Sequence, residues 1–417
     1  MIMKKLFFLF IMLCSVTAFP QSGWFIQPTG LSSFLWEVTM VDVNTAYICA
    51  DAGRVLKTTN GGTNWIQSIL TGAGELYAID FPSANTGYTA GGQGNIFKTI
   101  NAGANWTAVT SPTSNNLFAV KFLNESTGFV AGGATNDGEI FKTTNGGADW
   151  TEYGPGIVYP QVLDLNFPSD ATGYSAGGNG SILKSTDGGT KWFVLHPGVD
   201  KINLFSIYFT NETTGYTATP FPGSILKTTN GGTNWNSIFN DSNYFPVSVF
   251  FPTSDTGFVT GAAFTQTVAL KTTNAGASWT TTLFDFTGHF NSVNFINSTT
   301  GFIAGEFGRL YKTTNGGSTV GINSDGENVP DNFSLYQNYP NPFNPKTIIN
   351  YELRSSAFVT MKIHDVLGNV IATLVNEKRN AGNYEIEFNS SDLPSGIYFY
   401  TVEAAGLKQT RRMVLLK

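Results

Sequence analysis

A turn sequence that returns seven times at a period of 41 to 44 residues, a Gly-aromatic landmark also counted seven times, and a tryptophan displaced from the last repeat to the start of the chain predict an all-β fold. That fold is a seven-bladed β-propeller with N-terminal strand closure, followed by a small C-terminal antiparallel β-sandwich. Composition agrees: 46 Gly, 14% aromatic and only 12% charged residues favour short strands and tight turns over helices. A net charge of -6 with 23 Lys plus Arg leaves no electrostatic footprint for a phosphate backbone, so nucleic acid is not an expected partner.

Four segments follow in order: a signal peptide over 1–18, the propeller over 19–318, a linker over 319–332 and the C-terminal domain over 333–417. The first begins with Lys4 and Lys5, continues with the apolar run Leu6 to Leu13 and approaches its end through Val16-Thr17-Ala18, which places cleavage after Ala18. The run is shorter than the ~20 residues that span a bilayer, so no transmembrane segment is expected in the mature chain. Cys14, preceded by the bulky Leu13, is a poor lipidation site, and Cys49 then reads as a small buried hydrophobe.

The repeat is read from Lys57-Thr58-Thr59-Asn60-Gly61-Gly62-Thr63-Asn64-Trp65, whose lysine recurs at Lys98, Lys142, Lys184, Lys227, Lys271 and Lys312. Tyr47, then Gly87-Tyr88, Gly128-Phe129, Gly173-Tyr174, Gly215-Tyr216, Gly257-Phe258 and Gly301-Phe302, precede the seven lysines in turn. The seventh turn stops at Ser318 without its tryptophan, and Trp24, 41 residues before Trp65, supplies it, so the first strand closes the ring and leaves no free edge. Within a repeat, Leu76 to Phe81 alternates as a strand with Tyr77, Ile79 and Phe81 on one face, Thr89-Ala90-Gly91 is a second, Asn95 to Thr99 a third, and the Asn101-Ala102-Gly103 turn delivers Trp106 into the fourth. Beyond the polar linker, alternation over Val359 to Ile363, Tyr384 to Phe388 and Ile397 to Val402 predicts the β-sandwich.

Two resemblances rest on these residues. The turn carrying Asp187, Gly188, Gly189 and Trp192 resembles the Asp-box of bacterial neuraminidase repeats, and the array as a whole resembles photosystem II assembly and stability factor propellers and related BNR-type proteins. These imply a fold, with a structural role for the Asp-box residues. Tyr339-Pro340-Asn341-Pro342-Phe343-Asn344-Pro345, Asp365-Val366-Leu367-Gly368, Leu393-Pro394-Ser395-Gly396-Ile397-Tyr398 and Arg411 to Lys417 resemble the type A sorting domain of type IX secretion. That resemblance implies export by the type IX machinery through 333–417, with removal of this domain and surface attachment or release.

No catalytic site is expected. A sialidase-type three-arginine clamp cannot be built from Arg54 and Arg309, the only arginines before the linker. His196, His289 and His364 fall in separate segments as isolated surface residues, so neither a metal site nor a cofactor is expected. The expected activity is recognition of a glycan or protein, with a surface or adhesion component and a glycan hydrolase as alternatives. On the inner strands, the third position reads Glu37, Ala78, Ala119, Asp164, Ser206, Ser248, Ser292 and the fifth Thr39, Asp80, Lys121, Asn166, Tyr208, Phe250, Asn294. From these, Glu37, Asp80, Lys121, Asp164, Asn166, Tyr208 and Asn294 are the ligand-binding candidates near the axis, and Glu37 with Asp164 is the carboxylate pair a hydrolase would use. A second candidate surface lies opposite the Asp-box turns, at Ala134 to Glu139, Pro220-Phe221-Pro222, Ala263-Phe264-Thr265 and the aromatics Tyr153, Tyr159 and Tyr244. The repeated lysines are expected to be ordinary solvated residues.

Overall fold

Every copy of the repeated turn folds in the same way. Thr58 Oγ1 accepts from the Gly62 N–H at 2.9 Å and Asn60 Oδ1 from the Asn64 N–H at 3.0 Å, while Gly61 and Gly62 take φ of 66° and 91°, where a side chain would be strained. Ser185 and Asp187 repeat the arrangement in the fourth copy, accepting from Gly189 and Lys191 at 2.9 Å each. The hydrogen bond from Thr190 leads the interactions that hold the Asp187 carboxyl down to about 2.

The computed structural model describes residues 23–154, 159–195, 202–284, 288–318, 334–353, 356–380, 382–404 and 407–417. The signal peptide with its cut after Ala18, the linker 319–332 and His196 lie outside them.

Between successive turns the chain forms four-stranded antiparallel meanders, and Gly23–Ser318 contains seven of them. Blade 1 runs Leu35–Met40, Ala46–Ala50, Arg54–Thr58 and Ile66–Ile69; the inner strands of blades 2 to 7 begin at Leu76, Leu117, Val162, Ile207, Tyr244 and Phe290. Blade 7 takes its outer strand, Phe25–Gln27, from the N-terminus, paired antiparallel to Leu310–Thr313. Trp24 is thereby buried on edge against Phe258, Phe284 and Phe295 at 5.8 to 6.4 Å, the position the other six turn tryptophans fill from within their own repeats.

One aromatic triad explains both sequence landmarks. In blade 2, Phe81 at the end of the inner strand stacks on Tyr47 of blade 1 at 3.7 Å and meets the edge of Trp106 at 6.0 Å. Gly87 pairs alongside, and a Cβ there would stand 2.4 Å from the Phe81 ring, so the landmark must begin with glycine. Blade 1 is the exception that shows the cause: it has Met40 where the other blades have phenylalanine, and Ala46 where they have glycine, the two being register partners.

The repeated lysines are not solvated as the sequence reading had it. Each reaches into the next turn: Lys57 Nζ donates to Ala102 O at 2.6 Å, Lys98 to Gly146 O at 2.9 Å and, across the closure, Lys312 to Gly61 O at 2.7 Å. Each also lies 5.2 to 5.9 Å above the landmark ring of its own blade. The stems are apolar enough to pack between blades, which leaves the ammonium beside carbonyls rather than in bulk water.

The C-terminal residues form two sheets, Ser334–Leu335, Lys346–Leu353 and Gly382–Asn389 in one, Val370–Arg379, Ala357–His364, Gly396–Ala404 and Leu407–Leu415 in the other. Their inner faces share a core of Ile349, Tyr351, Val359, Met361, Tyr400, Val402 and Met413. Asp365 accepts from the Leu367 and Asn369 N–H groups at 2.9 Å, which makes the Asp365-Val366-Leu367-Gly368 motif a hairpin turn.

Candidate functional site

The inner strands of all seven blades surround one cavity of about 1100 Å³. At the first position of each repeat stands a buried apolar residue, Leu35, Leu76, Leu117, Val162, Leu204, Pro246 or Phe290, which in blade 5 precedes the strand and in blade 6 lies within it. In six blades the register then shifts by one residue at a β-bulge, which leaves Trp36, Tyr77, Phe118, Leu163, Val247 and Asn291 unpaired and lining the cavity. This corrects the strict alternation expected for blade 2: Tyr77 lies on the channel wall, while Ile79 returns to the core. The result is an aromatic collar that the sequence reading missed. Phe34 stacks on Trp36 at 5.4 Å, Trp36 meets Tyr77 at 5.1 Å and Tyr77 stacks on Phe118 at 5.2 Å. Asp51 fixes the Trp36 indole by accepting its Nε1–H at 2.7 Å.

Glu37, Asp80, Lys121, Asp164, Asn166, Tyr208 and Asn294 all line the same cavity. Most of them also hold neighbouring blades together. The inner strand of a blade has one free edge, and its N–H groups need acceptors. From the third position, Glu37 Oε2 accepts from Ile79 at 2.7 Å, Asp164 Oδ2 from Ile207 at 2.8 Å, Ser206 Oγ from Val249 at 3.2 Å, Ser248 Oγ from Val293 at 3.3 Å and Ser292 Oγ from Val38 at 3.2 Å. From the fifth, Asp80 Oδ2 accepts from Phe122 at 2.7 Å, Asn166 Oδ1 from Phe209 at 3.0 Å and Asn294 Oδ1 from Met40 at 3.1 Å. Ala119 has no such oxygen, and Asp164 compensates by turning Oδ1 onto its own neighbour, the Leu165 N–H, at 2.7 Å. The two conspicuous acids are therefore not simply solvated; each spends part of its acceptor capacity on the ring.

Charge on the wall is largely cancelled. Lys121 Nζ lies 2.8 Å from Asp80 Oδ1, and that carboxylate holds the lysine above its ordinary range. Burial pushes the Glu37 carboxyl up to about 8, against the pull of the Ile79 N–H, and the negative fields of Asp164 and Asp80 add to the rise. Glu37 is thus mostly protonated at neutral pH. Burial also raises Asp164, to about 6, with the Ile207 and Leu165 N–H groups opposing, so it is ionised there.

Around the mouth, His289 is not the isolated residue expected, since Nδ1 lies 3.2 Å from Glu306 Oε1 and both the ring and Asn291 border the cavity. Tyr159 is buried and packs with Tyr153 in a blade 3–4 cluster, and Tyr244 packs with Phe239, so none of these three is the exposed anchor expected. Pro220, Phe221 and Phe245 do border the cavity, with Phe221 still 63% exposed. Among the described residues no cluster of three His, Cys, Asp or Glu could hold a metal ion.

Residues 337–416 match the family model of the secretion system C-terminal sorting domain, and residues 158–246 that of the photosynthesis system II assembly factor YCF48. The sorting-domain match indicates export by type IX secretion to the cell surface or the extracellular space. Among the described residues no helix is long and apolar enough to cross a membrane. No curated protein matches the chain. Among solved structures, YCF48 bound to D1 peptide superposes with a TM-score of 0.57 at 17% identity, covering 70% of this chain and 96% of that one. The Niastella koreensis GH74 enzyme gives 0.56 at 17%, covering 77% of this chain and 58% of that one, and virginiamycin B lyase from Staphylococcus aureus 0.59 at 13%, covering 69% and 97%. At these identities the likeness is one of fold, and it extends to enzymes and non-enzymes alike.

Proposed function

We propose that the exported propeller is a recognition module whose ligand docks on the face carrying the hairpins between second and third strands, with one end in the channel. The observation that carries this is the aromatic collar. Tyr77 and Phe118 stand on bulges that turn them from the blade cores to the cavity wall, and Trp36, which also packs on the blade 1–2 core, joins them there, a placement that ring closure does not require. The opposite face is built of near-identical turns clasped by lysines, whereas the channel wall differs from blade to blade, as a binding surface on a repeated scaffold does. A propeller of similar fold is described bound to a peptide, which supports a chain-like ligand.

The test is to screen the full chain on arrays of glycans and of peptides, alongside Trp36→Ala and Tyr77→Ala. Saturable binding that either substitution weakens supports the reading, and silence on both arrays refutes it. A second reading, glycan hydrolysis, draws on the protonated Glu37 and ionised Asp164 sharing one cavity. It requires product release that Glu37→Gln abolishes while binding survives.

A further inference from the structure

The hairpins between second and third strands put one tip per blade on the channel-mouth face. Blades 1, 2 and 4 carry Ala52, Gln93 and Asn179 there, and blade 3 the polar Thr135-Asn136. Blades 5, 6 and 7 carry Phe221, Phe264 and Phe307 instead, 63%, 73% and 55% exposed. Three consecutive tips thus hold phenylalanine against solvent. Phe307 does so at φ 57°, a left-handed backbone that suits its counterparts Gln93 and Asn179 better than a bulky ring.

These rings are continuous with the cavity. Phe245, on the cavity wall, lies 5.1 Å from Phe221 and 5.3 Å from Phe264, edge to face in both cases. An aromatic track therefore leaves the channel over blades 5 and 6, with the Phe307 tip next around the ring.

The wall at the inner end of this track selects a ligand class. Asp80 neutralises Lys121, so neither offers a strong unpaired charge. The bonds between blades use the acceptor oxygens of Asn166, Asn294, Ser248 and Ser292, and leave their amide and hydroxyl hydrogens unspent by those bonds. Donors and acceptors of low net charge beneath an aromatic collar match hydroxyl groups on rings whose C–H faces stack on aromatics. A phosphate polymer or an acidic peptide would meet the ionised Asp164 with the lining lysine, Lys121, already paired, and would bury its charge uncompensated.

We propose that the protein binds a neutral linear glycan end-on, its terminal sugar in the channel and the following sugars on the track formed by Phe245, Phe221 and Phe264. The proposal rests on the docking face proposed above.

The experiment is calorimetric titration of the full chain with cello-, xylo- and manno-oligosaccharides of increasing length. One series should bind with affinity that climbs with length and changes less than about 2-fold between about 50 and about 500 mM NaCl, because a neutral ligand has no charge to screen. Phe221→Ala and Phe264→Ala, at exposed tips where folding is not at stake, should each weaken the longest oligomer ~10-fold and leave the disaccharide within about 2-fold. Trp36→Ala should weaken both lengths. Tip variants without effect, while Trp36→Ala still weakens binding, would overturn the track and keep the channel site. Strongly salt-dependent binding, capture of peptides alone, or no affinity in any series would overturn the glycan assignment; indifference to Trp36→Ala would overturn the docking face itself.

Discussion

Gly87→Ala should damage blade 2 through a single steric contact, and blade 1 already contains the remedy. The added methyl would stand 2.4 Å from Phe81 Cε1, well inside contact distance, and the ring cannot retreat because Tyr47 stacks on it at 3.7 Å while Trp106 closes its edge. Overpacking of this kind costs about 2 to 3 kcal/mol, offset by the ~0.5 to 1 kcal/mol that alanine gains over glycine in a strand. Phe81→Met alone forfeits the stacking and edge contacts, about 1 to 2 kcal/mol. The double variant reproduces the Met40 and Ala46 pair of blade 1, so it should be about as stable as Phe81→Met or slightly more stable, an interaction of about 2 kcal/mol between the two sites. Urea unfolding followed by tryptophan fluorescence measures this cleanly, since all eight tryptophans lie within Gly23–Ser318 and the C-terminal domain is silent. Additive effects within about 0.5 kcal/mol, or a neutral Gly87→Ala, would refute the account of the landmark glycine.

Three further outcomes follow from the same structure. Glu37 has a folded-state pKa of about 8 against 4.5 when free, so the native state holds its proton more tightly and stability falls as pH rises through that window. Glu37→Gln keeps an oxygen for the Ile79 N–H but cannot ionise: it should match the parent near pH 4 and exceed it by about 2 kcal/mol near pH 9, after channel water screens part of the full shift. A variant less stable than the parent at high pH would sink that reading. Lys98→Met removes the bond to Gly146 O and the cation over Tyr88 and should cost about 1 to 2 kcal/mol by urea unfolding, whereas a surface lysine would cost almost nothing. Trp24→Ala should cost about 3 to 5 kcal/mol, read as a lower thermal midpoint by circular dichroism, and an unchanged midpoint would mean that the N-terminal strand does not close the ring.

Much of the candidate site was legible, though not its aromatic collar. The column of third and fifth positions led directly to Glu37, Asp80, Lys121, Asp164, Asn166, Tyr208 and Asn294, and all seven border the cavity. Trp36, Tyr77 and Phe118 escaped because period-two alternation assigns them to the core face, and a bulge brings them to the cavity wall. A signal was present: two apolar residues in succession, Leu35-Trp36, Leu76-Tyr77 and Leu117-Phe118, at the same place in three repeats. Aligning the hairpin tips would likewise have put Phe221, Phe264 and Phe307 in one column. The lysines misled because a long cationic side chain on an exposed turn is ordinarily solvated, and its true acceptor lies in the next blade, 45 residues on for Lys57.

The number of blades, the closing strand and the turn geometry follow from the sequence alone, because each rests on local chemistry: a hydroxyl and a carboxamide that each accept from the N–H four residues on, repeated at a period one four-stranded blade can fill. What those blades present to each other and to the channel depends on the closed ring. That Asp80 would cancel Lys121, that Glu37 would bond to Ile79, and that Phe81 would exclude a methyl at Gly87 depends on distances across or within blades that emerge only when the ring has closed. Burial then changed the chemistry of the same side chains, leaving Glu37 a proton donor at neutral pH where its residue type alone would make it an anion.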